Sequence, residues 1–138
     1  MTDQIPNARP TILVACRKNA GRSQAAASIM RHLAGDKVLV LSGGSEPAEK
    51  VHEEVRQVLA ERGLGVEEVP KAFDEAMVKS ADVVVTMGCG EGCPYFPGKR
   101  YLDWEVEDPH NQSVEKVRAI VDDIEQRVRS LLSELGIS

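Results

Sequence analysis

Residues 16–23, CRKNAGRS, set a thiol six positions ahead of an arginine, with Arg17, Lys18, Asn19, Ala20 and Gly21 between them and Ser23 directly after. A cysteine is a nucleophile when ionised, and nearby cations and a helix N-terminus favour that form. Successive backbone N–H groups in a tight turn make a concave nest for an anion, and a following helix adds its positive end. The Arg22 guanidinium offers an oxyanion two parallel donors. Gly21 admits an unusual backbone and close approach, while Asn19 tolerates left-handed geometry and can brace the loop through its side chain. One such loop can hold a tetrahedral oxyanion and present Cys16 to it. A lone cysteine at a strand end is ordinarily a small hydrophobe. It is the combined C-x5-R-S spacing that points to an anion site. Ser23 has two roles open to it, a hydrogen bond to the Cys16 sulfur or a cap on its own helix.

Two further thiols, Cys89 and Cys93, stand in MGCGEGCP, separated by Gly90, Glu91 and Gly92. A disulfide requires Cα atoms about 4.4–6.8 Å apart, and the glycines let the chain bend that far. Pro94 pushes Cys93 towards an extended backbone, so rearrangement on oxidation is expected. A zinc site would need a second pair or a histidine at ligand spacing, and neither is present. A close pair at the same sheet edge as Cys16 suits a thiol relay. Asp108, in the Asp108–Pro109 pair, is the candidate general acid for a leaving oxygen, with Pro109 stiffening the loop that aims it. A cap on the terminal helix is the alternative role for Asp108. Glu105 and Glu107 lie close but fit no motif.

These residues need elements to carry them. Residues 11–15, TILVA, read as a buried strand that delivers Cys16. Ser23 to Leu33 reads as a helix stopped at Gly35, and residues 37–42 as a second strand closed by Gly43 and Gly44. Val51, Val55, Val58 and Leu59 recur at helical spacing before Gly63, and residues 73–79 suit a short helix. Ala81 to Met87 is a further buried strand, residues 88–98 a Gly- and Pro-rich loop, and Arg100 to Leu102 a short last strand. From Ser113 onward an apolar stripe from Val114 to Leu132 marks a long amphipathic helix. Alternating strands and helices predict an α/β fold: a single-domain three-layer sandwich, a mostly parallel twisted sheet of about four strands with helices on both faces. Ligands in such sheets sit beyond the strand carboxyl ends, and Cys16, Ser42, Cys89 and the loop after Leu102 all follow such ends. Residues 1–10 read as a flexible extension and 11–138 as the domain.

Composition narrows the classes. The 138 residues are 42% hydrophobic and 28% charged, enough for one core. A net charge of −5 disfavours nucleic acid and anionic membranes as partners, though a small anion can still bind where positive groups concentrate. The polar, proline-bearing start lacks a secretion signal and no apolar run spans a membrane, so a cytoplasmic location is expected. Three cysteines in a reducing compartment suit catalytic or redox thiols rather than a disulfide framework. His32, His52 and His110 fit no site and read as surface or edge residues, and Trp104 as packing.

The C-x5-R-S motif near the start with a D-P pair far downstream resembles the low-molecular-weight protein tyrosine phosphatase fold. Within it, CRKNAGRSQAA followed by TMGCGEGCPYFPGKRYLDWEVEDP is similar to the thioredoxin-linked arsenate reductases. The resemblance implies that Cys16 attacks arsenate to form a thiol–arsenate adduct, that Cys89 displaces arsenite to give a Cys16–Cys89 disulfide, and that Cys93 resolves it to Cys89–Cys93. Thioredoxin would reduce that last bond, and phosphate or sulfate would compete for the loop. The gap between Cys89 and Cys93 is shorter than in the best-described members. No tightly bound cofactor is implied. Some members hold a potassium ion near positions matching Asn19 and Ser42, where Ser42-Gly43-Gly44 resembles the family's Ser-Ala-Gly; its other ligands are not assignable. Three rivals remain open. A tyrosine phosphatase would share Cys16, Arg22 and Asp108 but need an aromatic slot, and aromatics are 4% of the chain, with His110 and Asn111 where phosphatases carry tyrosine. A mycothiol-type reductase would not need Cys89 and Cys93. A redox sensor would bind an oxyanion without turnover.

Overall fold

The computed structural model describes residues 9–66, 69–88 and 98–137. Its centre is strand β1, Thr11–Cys16, whose residues Ile12 to Ala15 are wholly shielded from solvent. Neighbours pair with it in parallel on both sides: β2, Leu39–Gly44, in the register Ile12 opposite Val40, and β3, Val83–Thr86, in the register Ile12 opposite Val83. Strand β4, Arg100–Asp103, adds outside β3, giving the order β2-β1-β3-β4 with every pair parallel. A β-branched, apolar run without polar alternation is what a strand covered on both faces requires.

Side chains of β1 alternate between two cores, as the pleat dictates. Ile12, Val14 and Cys16 join the larger cluster with helices α1 (Arg22–Ala34), α2 (Glu53–Glu61) and α4 (Val114–Glu134). Leu13 faces the other way, into a smaller cluster with Val84 and with Val78 of helix α3, Glu75–Ser80. Helices therefore cover both faces, as expected, but unequally. Ala25, Ala26 and Ala27 of α1 are all buried, and their small side chains suit a helix wedged between sheet and α4. Ser113 caps α4 by accepting from Lys116 N at 3.2 Å, so the cap role considered for Asp108 falls to serine. Trp104 is buried in the larger core.

Several boundaries shift by a residue or two from the sequence expectation, among them β3, which spans Val83–Thr86 rather than 81–87, and α3, which spans Glu75–Ser80 rather than 73–79. Residues 35–37 form a 3-10 turn, and β2 runs on through Gly43 and Gly44 instead of closing before them. Glycine is poor in strands, but here side chains have no room. A Cβ on Gly43 would lie 2.6 Å from Phe73 N, and one on Gly44 would lie 2.6 Å from Arg17 O. Arg9 and Pro10, assigned to the extension, already contact the body: Arg9 Nη1 donates to Asp36 O and Pro10 O accepts from Leu39 N. Cys89, Cys93 and most of the loop expected over 88–98 lie outside the described residues. No described helix is long and apolar enough to cross a membrane.

Candidate active site

Strand β1 ends on Cys16, 2% exposed, and α1 begins at Arg22, so the five residues between them must reverse the chain. The carbonyls of that turn point outward. Those of Cys16, Arg17, Lys18 and Ala20 accept from the N–H groups of Ser45, Glu46, Ala48 and His52, at 3.2, 2.7, 3.0 and 2.9 Å. Every described peptide bond is trans. In a trans peptide the N–H opposes the preceding carbonyl, so the N–H groups of Arg17, Lys18, Asn19 and Gly21 face the concave side. No side chain caps α1. The loop is thus a row of inward donors at a helix start, an anion nest.

Asn19 locks this shape. It is fully buried and left-handed, with φ 50. Its Oδ1 accepts from Lys71 N at 3.0 Å and Gln24 Nε2 at 3.3 Å, and its Nδ2 donates to Ser23 Oγ at 2.7 Å. Ser23 Oγ lies 3.0 Å from Cys16 Sγ. Since Ser23 accepts from Asn19, its own hydrogen is available for the sulfur. Of the two roles open to Ser23, the structure takes the contact with Cys16.

Arg22 is held on two sides. Its Nη1 donates to Val106 O at 3.4 Å and its Nη2 lies 3.8 Å from Asp108 Oδ2. Gly88, at φ 78, leaves the guanidinium its room, for a Cβ there would sit 2.5 Å from Arg22 Nη1. Asp108 stands half-exposed across the mouth, its Oδ1 accepting from His110 N at 3.0 Å. Pro109 is buried against Gly21, where a Cβ would come within 2.8 Å of its Cγ. The arrangement brings together Cys16, Asn19, Ala20, Gly21, Arg22, Ser23 and Asp108. The side chain of Arg17 pairs with Glu46 at 3.1 Å and that of Lys18 is exposed. Both residues also offer an anion a backbone N–H.

The structure gives His52 and His110 a place beside this site, contrary to the expectation that they fit none. Their rings lie 4.6 Å apart, joining the residue ahead of α2 to the Asp108 loop. His52 Nδ1 is buried without a hydrogen-bond partner among the described residues. Burial, and then the neighbouring His110, push the His52 pKa below 6.5, against the pull of Asp108 and Glu54. Adjacency to Asp108–Pro109 could have flagged His110; no sequence signal marks His52, Gln24 or Lys71.

A model of the low molecular weight phosphotyrosine protein phosphatase family matches residues 11–92. The chain belongs to that family. Its phosphatase-fold relatives include a Halobacterium salinarum protein that carries the provisional name of an arsenate reductase, 40% identical over 127 residues, 88% of this chain and 89% of that one. The solved thioredoxin-dependent arsenate reductase of Corynebacterium glutamicum superposes with a TM-score of 0.81 at 40% identity, over 92% of this chain. This chain spans 62% of that Corynebacterium chain. A solved arsenate reductase in a phosphate-binding state matches at TM-score 0.78 and 27% identity, covering 94% of this chain and 99% of its own.

Proposed function

We propose that this family member reduces arsenate to arsenite through Cys16, Cys89 and Cys93, with thioredoxin as the final reductant. The nest of residues 17–21 and the Arg22 guanidinium hold the tetrahedral anion. Cys16 Sγ attacks arsenic, an As–O bond breaks, and Asp108 supplies the proton with which that oxygen leaves. Cys89 attacks Cys16 Sγ; the S–As bond breaks, its electron pair stays on arsenic, and arsenite departs as a Cys16–Cys89 disulfide forms. Cys93 attacks Cys89, releasing Cys16 and leaving Cys89–Cys93. Two thiols supply the two electrons, and thioredoxin restores them.

The position of Gly88 carries this reading over simple hydrolysis. Gly88 packs on the Arg22 guanidinium of the loop that holds Cys16, and Cys89 is the next residue in the sequence. The names of the relatives at 40% identity support the substrate and the reductant. The test is arsenate-dependent NADPH consumption with thioredoxin and thioredoxin reductase, on wild type and each Cys→Ser variant. Turnover is expected to vanish in all three variants. Sustained turnover of Cys93→Ser with thioredoxin as sole reductant would refute the relay. An aryl phosphatase whose activity survives Cys89→Ser, without arsenate turnover in wild type, would assign the site to hydrolysis.

A further inference from the structure

Lys71 belongs to no catalytic motif, yet it is stitched once to the catalytic loop and once to the neighbouring strand β2. Its backbone N donates to Asn19 Oδ1 at 3.0 Å, and its Nζ donates to the Oγ of the fully buried Ser42 at 3.4 Å. The main chain is fixed as well, for Lys71 O accepts from Gly44 N at 2.9 Å and Ala72 bridges to Gly44. A primary ammonium is thus delivered to Ser42 on β2, the strand that pairs with β1 up to Cys16.

Asn19 and Ser42 are the two residues at which the family resemblance raises a potassium ion, and their oxygens are arranged for other partners. A metal cation needs several oxygens turned towards it. Asn19 Oδ1 is turned to the N–H groups of Lys71 and Gln24, and Ser42 Oγ accepts from the ammonium itself. Among the described residues, no three His, Cys, Asp or Glu side chains gather where an ion could sit. The donor set does not fit a metal ion.

We propose that the Lys71 ammonium is the resident cation of this site, a covalently tethered charge that makes the catalytic loop independent of potassium. Lys71 is a positioning residue in two parts: its backbone N–H holds Asn19, whose Nδ2 orients Ser23, whose hydroxyl faces Cys16 Sγ, while its ammonium holds Ser42, paired with Val14 two residues before Cys16, and lends the loop its positive charge. The idea stands whatever oxyanion the loop binds, so its test uses none.

Substituting Lys71 leaves its backbone N–H on Asn19 and removes only the side-chain charge. The readout is the rate of iodoacetamide alkylation of Cys16 at fixed pH and ionic strength, in a Cys89→Ser, Cys93→Ser background where it is the one thiol. Exchanging tetramethylammonium for potassium is expected to leave the rate of that otherwise wild-type protein unchanged. Lys71→Met is expected to slow alkylation roughly threefold or more, whereas Lys71→Arg, which keeps the charge, stays within about twofold. Potassium acceleration with Lys71 intact would overturn the proposal without any Lys71 variant. So would a folded Lys71→Met protein reacting at the Lys71 rate, or Lys71→Arg as slow as Lys71→Met, with folding checked by circular dichroism.

Discussion

Replacing Asn19 by alanine should cost more than any surface substitution in this chain, and the cost can be worked from its bonds. Three side-chain hydrogen bonds disappear, at 2.7, 3.0 and 3.3 Å. Gln24 Nε2 keeps a second acceptor in the Asn19 carbonyl at 3.1 Å, so its loss is small. Lys71 N–H and the Ser23 hydroxyl lose partners in a buried setting, at about 1 kcal/mol or slightly more each. Alanine at φ 50 adds about 1 kcal/mol that asparagine largely escapes. The sum is about 3–4 kcal/mol, a large part of the stability of an average domain. Asn19→Gly loses the same bonds but tolerates the backbone, so it should recover roughly 0.5–1 kcal/mol relative to alanine. Urea unfolding of the reduced protein, followed by fluorescence of the buried Trp104, measures both variants. A loss below about 1 kcal/mol for alanine, or glycine worse than alanine, would show that the loop keeps its shape without this side chain.

Gly88→Ala should drive Arg22 off its position and cut arsenate turnover roughly 10- to 100-fold, the worth of one charge-assisted contact, with about 1–2 kcal/mol lost on urea unfolding; wild-type turnover would dispose of the close packing. His52 has its pKa lowered from 6.5, chiefly by burial, so the unfolded chain takes up the proton first. Its contribution to stability is therefore complete above pH 6.5 and is lost as pH falls through the lower folded value. Urea midpoints of wild type should drop faster with acidification than those of His52→Gln, and parallel curves would remove the effect.

The sheet and its long helices were legible because their signals are local. A short, β-branched apolar run such as TILV after Pro10 reads as a covered strand, and the stripe from Val114 to Leu132 reads as one face of a helix. The anion loop was legible for the same reason, its donors, glycine and nucleophile lying within eight residues. Gly43 and Gly44 misled because their role comes from distant partners, Phe73 on one side and the Arg17 carbonyl on the other. His52, beside His110, and Lys71, beside Ser42, were silent because only tertiary packing makes them neighbours. The ion pair of Arg17 with Glu46 was equally silent, since only the fold brings that carboxylate alongside.

Main-chain atoms supply most of the stitches between the rim of the cradle and residues 45–52, so natural variation has an uneven licence there. Ser45, Glu46, Ala48 and His52 each give up an amide proton to the rim. An imino acid at any of those four places would unpick a stitch, whereas another side chain there leaves the amide bond to the rim in place. Pro47, the one residue of this stretch without an amide proton, occupies a place between stitches. Divergent homologues can therefore be expected to scramble the lettering of this strap and still spare those four sites from proline.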